Sequence, residues 1–236
     1  MRYLAVPHGK FIIRELSLNA ENMKLVYGKE IPSSIAELLD PKHTALLIID
    51  VQNDYAKSNG RLLFPKLVGN LKRLLKLARK SGLLIVYIQD TLLRERLSDS
   101  PAWVRHTMLG QSKRDPGEIR ANALDGTHGQ RFIDEIHPEP EEIIVRKFRS
   151  SAFVGTSLDL ILRSNSIRTV VVTGISTEAC VESTCRDASN EYVVVVAEDC
   201  VDSDRKELHQ ACMKIMKRRY DVVKSTRILA AWQKAD

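Results

Sequence analysis

A three-layer αβα sandwich around a mostly parallel six-stranded sheet is the fold class that the sequence predicts, and three observations point to it. Six apolar runs of strand length recur along the chain. They are continuous rather than alternating, as strands covered on both faces must be. Between them lie stretches of helical periodicity, and regular alternation of strand and helix builds a parallel sheet with helices on both sides.

The elements follow in order. Residues 44–50, 83–89, 143–146, 168–173 and 192–197 are the clear strands, and residues 221–224 form a shorter sixth. Before the second strand, Leu67, Leu71, Leu74, Leu75 and Ala78 share one helix face, with Lys72, Arg73, Lys76, Arg79 and Lys80 opposite. That helix stops at Ser81-Gly82, a pair suited to a left-handed C-terminal turn. Residues 156–159 and 204–207 read as helix starts, the second as a capping box from Asp204 to Glu207. Another helix opens after Gly174, with Thr177 as N-cap, and runs to about residue 190.

Two segments break the alternation. Residues 1–40 precede the first strand, and in them Pro32-Ser33-Ser34 opens a short helical pattern ending near Leu39. They are read as an N-terminal arm that packs on the domain, residues 41–236, or on a neighbouring subunit. Residues 91–130 are charged and interrupted by Pro101, Gly110, Pro116, Gly117, Gly126 and Gly129, so they cannot be one regular element. Long segments at a sheet edge commonly shape a site.

Composition narrows the function classes. With 44% hydrophobic and 28% charged residues among 236, the chain is globular rather than disordered. No apolar run exceeds the six residues 83–88, whereas a bilayer span needs about 20. Residues 1–10 lack the apolar core of a signal peptide, so a cytoplasmic address is expected. Cys180, Cys185, Cys200 and Cys212 are expected as free thiols, since their spacing suits neither a disulfide framework nor a zinc site. The net charge of +6 comes from basic residues scattered over helix faces, which argues against a nucleic-acid partner. A non-enzymatic nucleotide- or nucleic-acid-binding module stays as an alternative, but the first strand-to-helix turn, Asp50-Val-Gln-Asn-Asp-Tyr55, is no glycine-rich phosphate loop.

In a parallel sheet the carboxyl ends of the strands share one edge, where ligands bind. Asp50, Lys147 and Cys180 each fall at or just beyond such an end. Singly, they could be a turn cap, a solvated lysine and a packed thiol. Together they supply a base, a cation and a nucleophile. Cys180 falls in the first turn of its helix, where unpaired N–H groups favour a thiolate over a thiol with an ordinary pKa of about 8.5. The same N–H groups can receive an oxyanion.

Residues 46–55 (Leu-Leu-Ile-Ile-Asp-Val-Gln-Asn-Asp-Tyr), 147–153 (Lys-Phe-Arg-Ser-Ser-Ala-Phe) and 173–181 (Thr-Gly-Ile-Ser-Thr-Glu-Ala-Cys-Val), with Thr184 and Arg186-Asp187-Ala188, resemble the isochorismatase-like cysteine hydrolases. The resemblance spans residues 44–225 and implies a Rossmann-like strand order, 3-2-1-4-5-6. It also implies an Asp50–Lys147–Cys180 triad. In that scheme the aspartate takes the thiol proton, the lysine supports the charged pair and the cysteine attacks a carbonyl. Amine or ammonia leaves, and water hydrolyses the thioester. A cis peptide before Ser176 is implied, bringing the Ser176 and Cys180 N–H groups together as an oxyanion hole. Tyr55 takes the position of an aromatic pocket residue, and a homo-oligomer, dimer or tetramer, is implied.

Departures from the family narrow the reading. The nicotinamidase branch carries metal-binding histidines after the second strand, but residues 89–95 contain none, and His106 and His128 are isolated. No metal and no other cofactor is therefore expected, and Asp90 is left to accept a substrate N–H. The complete triad points to amide chemistry, with isochorismatase-type vinyl ether hydrolysis as the alternative. Residues 180–187 look most like the ureidoacrylate branch, so the expected substrate is a small amide, ureido or carbamoyl compound. Cys185 lies on another helix face and is expected in the core.

Overall fold

The computed structural model describes residues 24–235. Six strands, β1 (Thr44–Ile49), β2 (Leu84–Asp90), β3 (Ile143–Lys147), β4 (Thr169–Ile175), β5 (Val193–Asp202) and β6 (Asp221–Val223), form one sheet. Its order is β3-β2-β1-β4-β5-β6, as expected. Every neighbouring pair is parallel.

Helices cover both faces. The main ones are α1 (Pro65–Lys80), α2 (Pro101–Gly110), α3 (Leu158–Ser164), α4 (Glu182–Ala188), α5 (Lys206–Arg219) and α6 (Ser225–Ala235). The alternation of side chains along a strand divides the core into two layers. Leu46, Ile48, Val171 and Val195 face α1 and α6, with Trp232 fully buried among them. Ala45, Leu47, Ile49, Val170 and Val196 face α3, α4 and α5, contacting Leu158, Cys185 and Met216. The continuous apolar runs are thus accounted for in β1, β2, β4 and β5, which bury both faces, whereas the edge strand β3 leaves Ile144 and Arg146 exposed.

The helix of the N-terminal arm is Ile35–Leu38. Ser34 caps it in a reciprocal box, its hydroxyl accepting from the Glu37 N–H and its own N–H donating to the Glu37 carboxylate. Ile35, Leu38 and Leu39 enter the core, and the Leu39 carbonyl accepts from Trp232 Nε1 at 3.1 Å. Packing on the domain therefore begins a few residues before the boundary at residue 41. The first 23 residues of the arm lie outside the described residues.

Two helix starts differ from expectation. Helix α5 begins at Lys206, and its entry is tied by Ser203, whose hydroxyl accepts from the Arg205 N–H, rather than by an Asp204–Glu207 box. Thr177 is no N-cap: it lies inside a π-wound turn, Thr177–Val181, that leads into α4, and its hydroxyl pairs with His209 Nδ1 at 2.8 Å. The threonine faces α5 instead of the helix end. Among the described residues no helix is long and apolar enough to cross a membrane.

Candidate active site

Strand order brings the candidate residues together. The switch point, where the chain reverses its progress across the sheet, lies between β1 and β4, and ligands bind at such points. Asp50 follows β1, Asp90 ends β2, Lys147 ends β3, and Ser176 to Cys180 follow β4. Gly174 allows β4 to approach β1: its φ is +119°, and a Cβ there would stand 2.0 Å from the Ile49 carbonyl oxygen. The peptide between Ile175 and Ser176 is cis, as expected.

Lys147 is the hub. It lies two strands from Asp50, and its register partner on the intervening strand is Asp90. Its side chain points to the same sheet face as Val145 and has no exposed surface. Its Nζ stands 2.9 Å from Asp50 Oδ2, 3.1 Å from Asp90 Oδ1 and 3.3 Å from Cys180 Sγ. Burial opposes the ammonium charge, but Asp50, Cys180 and Asp90 outweigh it and hold Lys147 well above the usual lysine range. Such a buried cation persists only with partners of this kind.

Asp50 is buried with a left-handed backbone, φ +53°. Its Oδ1 is enclosed and makes no hydrogen bond of its own. The Cys180 thiol is close enough that thiol and carboxyl shift each other. Burial pushes Asp50 up to about 6, against the pull of Lys147. Burial also pushes the Cys180 thiol well up, Lys147 opposes this, and Asp50 and Asp90 reinforce it. The helix end pulls the other way, toward the thiolate. The other three thiols are unpaired and buried, Cys185 within the core as expected.

Tyr55 and Asp90 both line a cavity of about 340 Å³ outside this cluster, where Ser176, Glu178 and Ala179 form the wall next to Cys180. Asp90 is less free than expected. Its Oδ2 accepts from the Tyr55 hydroxyl at 2.5 Å while Oδ1 holds Lys147. Burial and Asp90 keep the Tyr55 phenol well above its ordinary range, so it remains a donor. Asp90 thus belongs to the charge cluster before it belongs to the substrate.

Residues 91–130 supply the opposite wall, including Arg96, Trp103, Gln111, Arg120 and Asn122. Their attachment explains the rest of the motif after β1. Gln52 Nε2 donates to the Asp90 and Gln130 carbonyls, and Gln52 Oε1 accepts from the Asp90 N–H. Asn53 Nδ2 donates to the carbonyls of His128 and Arg131, and Asp54 Oδ2 accepts from the Ala123 N–H at 2.8 Å. Gly129 leaves room for that carboxylate, since a Cβ would lie 2.1 Å from Asp54 Oδ2. Further out, Arg149 Nη2 donates to the Ser98 carbonyl and its guanidinium lies 5.1 Å from the Trp103 ring centre. Arg205 donates to the Gly110 carbonyl. The clamping roles of Gln52, Asn53 and Asp54 escaped the sequence reading, although all three polar residues sit directly after a buried strand.

A doubly wound α/β domain with a cysteine, a lysine and two carboxylates in contact at the switch point has the architecture of a thiol-dependent hydrolase. Residues 44–227 match the isochorismatase domain, and the chain belongs to the isochorismatase family. The ureidoacrylate amidohydrolase RutB of Enterobacter sp. (strain 638) is 35% identical over 184 residues, 72% of this chain and 80% of that protein. RutB of Agrobacterium fabrum is 33% identical over 175 residues, 68% and 76% respectively. The N-carbamoylsarcosine amidase from Thermoplasma acidophilum superposes with a TM-score of 0.62 at 28% identity, covering 77% of this chain and 96% of that one. A cysteine hydrolase from Pseudomonas syringae pv. phaseolicola, 21% identical with a TM-score of 0.72 over 84% of this chain and 96% of that one, shares the fold.

Proposed function

We propose that this chain is a cysteine-dependent amidohydrolase that cleaves a C–N bond of a small linear amide, ureido or carbamoyl compound through a covalent thioester. The observation that carries the reading is the contact of one buried ammonium, Lys147, with Asp50, Asp90 and Cys180. The two RutB relatives and the N-carbamoylsarcosine amidase support the substrate class.

In this scheme Cys180 rests as a thiol. As Sγ attacks the carbonyl carbon, its proton passes to Asp50, whose Oδ1 is unoccupied. Lys147 remains charged and compensates the negative charge that moves from carboxylate to sulfur and on to the carbonyl oxygen. The N–H groups of Ser176 and Cys180 receive that oxygen. Collapse breaks the C–N bond, the proton held by Asp50 goes to the leaving nitrogen, and amine or ammonia departs. Water then attacks the thioester, with Asp50 accepting its proton and the thiol regenerated. Tyr55 and Asp90 shape the near wall of the cavity. Four unpaired cysteines suit a reducing, cytoplasmic setting, and assembly as a dimer or tetramer is part of the reading and open to light scattering.

The test is an ammonia-release screen over ureidoacrylate, biuret, N-carbamoyl amino acids, nicotinamide and aliphatic amides, with pyruvate release from isochorismate followed separately. Ureido and carbamoyl compounds are expected to outrun simple carboxamides. Pyruvate from isochorismate without ammonia from any nitrogen compound would instead identify an ether hydrolase.

A further inference from the structure

The turn that carries Cys180 is held from outside itself. Thr177–Val181 is π-wound, a rare winding met in single turns at functional sites. Its five residues bring Cys180 Sγ to 3.3 Å from Lys147 Nζ and put Glu178 and Ala179 on the cavity wall. Three side chains from just after β5 and from α5 reach this turn. The Ser203 hydroxyl donates to Glu178 Oε1 at 3.0 Å, the Cys212 thiol donates to the Thr177 carbonyl at 3.5 Å, and His209 Nδ1 pairs with the Thr177 hydroxyl at 2.8 Å.

The last of these ties is the shortest. Thr177 has no exposed surface, so its hydroxyl needs a partner from the protein, and the imidazole supplies it. Asp202 comes only within 3.9 Å of the same ring nitrogen and is bound by Lys206 at 2.7 Å, so Nδ1 is committed to the threonine. His209 does not line the cavity that borders Cys180. Its contact lies at the root of the turn, three residues before the nucleophile.

We propose that His209 is a positioning residue: through the Thr177 hydroxyl it fixes the π-wound turn, and so sets Cys180 Sγ at its working place beside Lys147 and the carbonyl under attack. The inference rests on the amidohydrolase reading and adds a residue on α5, a helix that contributes no member of the charge cluster. Misplacing a reacting atom by about 1 Å can lower a rate on the order of 100-fold, so a single hydrogen bond at the start of the turn has leverage over the chemistry.

The experiment separates position from stability. His209→Leu leaves the Thr177 hydroxyl buried without a partner, which destabilises the fold whatever else the bond does. Adding Thr177→Val removes the orphaned hydroxyl, so urea titration should find the double variant more stable than His209→Leu. The activity is not expected to return with the stability: kcat on the best nitrogen substrate should stay about 10- to 100-fold below wild type in both, with KM little changed. His209→Asn, which can set a polar atom where Nδ1 stands, should recover most of kcat. Iodoacetamide alkylation of Cys180 at neutral pH should slow in His209→Leu and in the double variant, as Sγ leaves its place beside the ammonium, and recover in His209→Asn. Wild-type kcat and alkylation in the double variant, or no recovery in His209→Asn, overturns the proposal. If no nitrogen compound is cleaved, the amidohydrolase reading fails while the alkylation rates still decide the role of His209.

Discussion

Lys147 is packed without exposed surface between two carboxylates and a thiol, at strand ends whose neighbours Ile49, Val51, Ile88 and Val145 are core. Across the cavity, helix α2 buries none of its residues and is held by the Arg149 guanidinium over Trp103, by Arg205 at the Gly110 carbonyl and by its own cap at Ser100. One region places charges where water cannot screen them, which requires neighbours that do not move. The other lines the cavity with half-buried and exposed side chains on a segment tied down mainly by backbone carbonyls. The difference separates the two tasks of the site. In the proposed scheme the sheet edge fixes the chemistry, and residues 91–130 set the substrate without disturbing it.

The comparison breaks first at the sheet edge. Asp50→Asn and Lys147→Ala are each expected to lower kcat/KM by about 1,000-fold or more, because base and cation act on one proton transfer. The double variant should lose little beyond the worse single one, and a loss equal to the product of the two would mean independent roles. Lys147→Ala also leaves Asp50 buried without its cation, so urea titration should show a stability loss of about 3–5 kcal/mol. Lys147→Met, which fills the space, checks that activity is lost while the fold is kept.

The pH profile sharpens the same point. Burial puts Asp50 at about 6, and the working form is the carboxylate, so kcat/KM should fall about tenfold per unit below that value and level off above it. Asp90 raises Asp50, so Asp90→Asn should move the acid limb to lower pH. An acid limb that stays in place would remove Asp50 as the titrating group.

On the other wall the effects should be smaller. Arg149→Ala removes both the Ser98 contact and the Trp103 contact. It is expected to raise KM several-fold with kcat little changed and to cost about 1 kcal/mol or less in stability. A kcat loss as large as that of Lys147→Ala would dissolve the division of labour. Smallest of all is the effect of chelation. Among the described residues no three of His, Cys, Asp and Glu are grouped to hold a metal, and EDTA is expected to leave turnover unchanged. Activity lost to EDTA and restored by zinc or iron would contradict the scheme.

The legible part of this molecule is the part governed by local pattern. Continuous apolar strands, the leucine face of α1 and the glycine stop after it are written in neighbouring residues, and strand ends then bring Asp50, Lys147 and Cys180 to one edge. The carboxylates that raise the Cys180 thiol arrive from β1 and β2, which no pattern local to its own helix end encodes. Gln52, Asn53 and Asp54 act on backbone groups some 70 residues away or, for Gln52 and Asp90, 38 away. No periodicity marks such contacts.

The central claim is that Cys180 is the nucleophile of an amide-type hydrolysis. It is tested most directly by comparing ammonia release from the best ureido or carbamoyl substrate by the wild type and by Cys180→Ala under identical conditions. The variant is expected to retain less than about one part in 1,000 of the wild-type rate. A Cys180→Ala enzyme within tenfold of the wild type would contradict it.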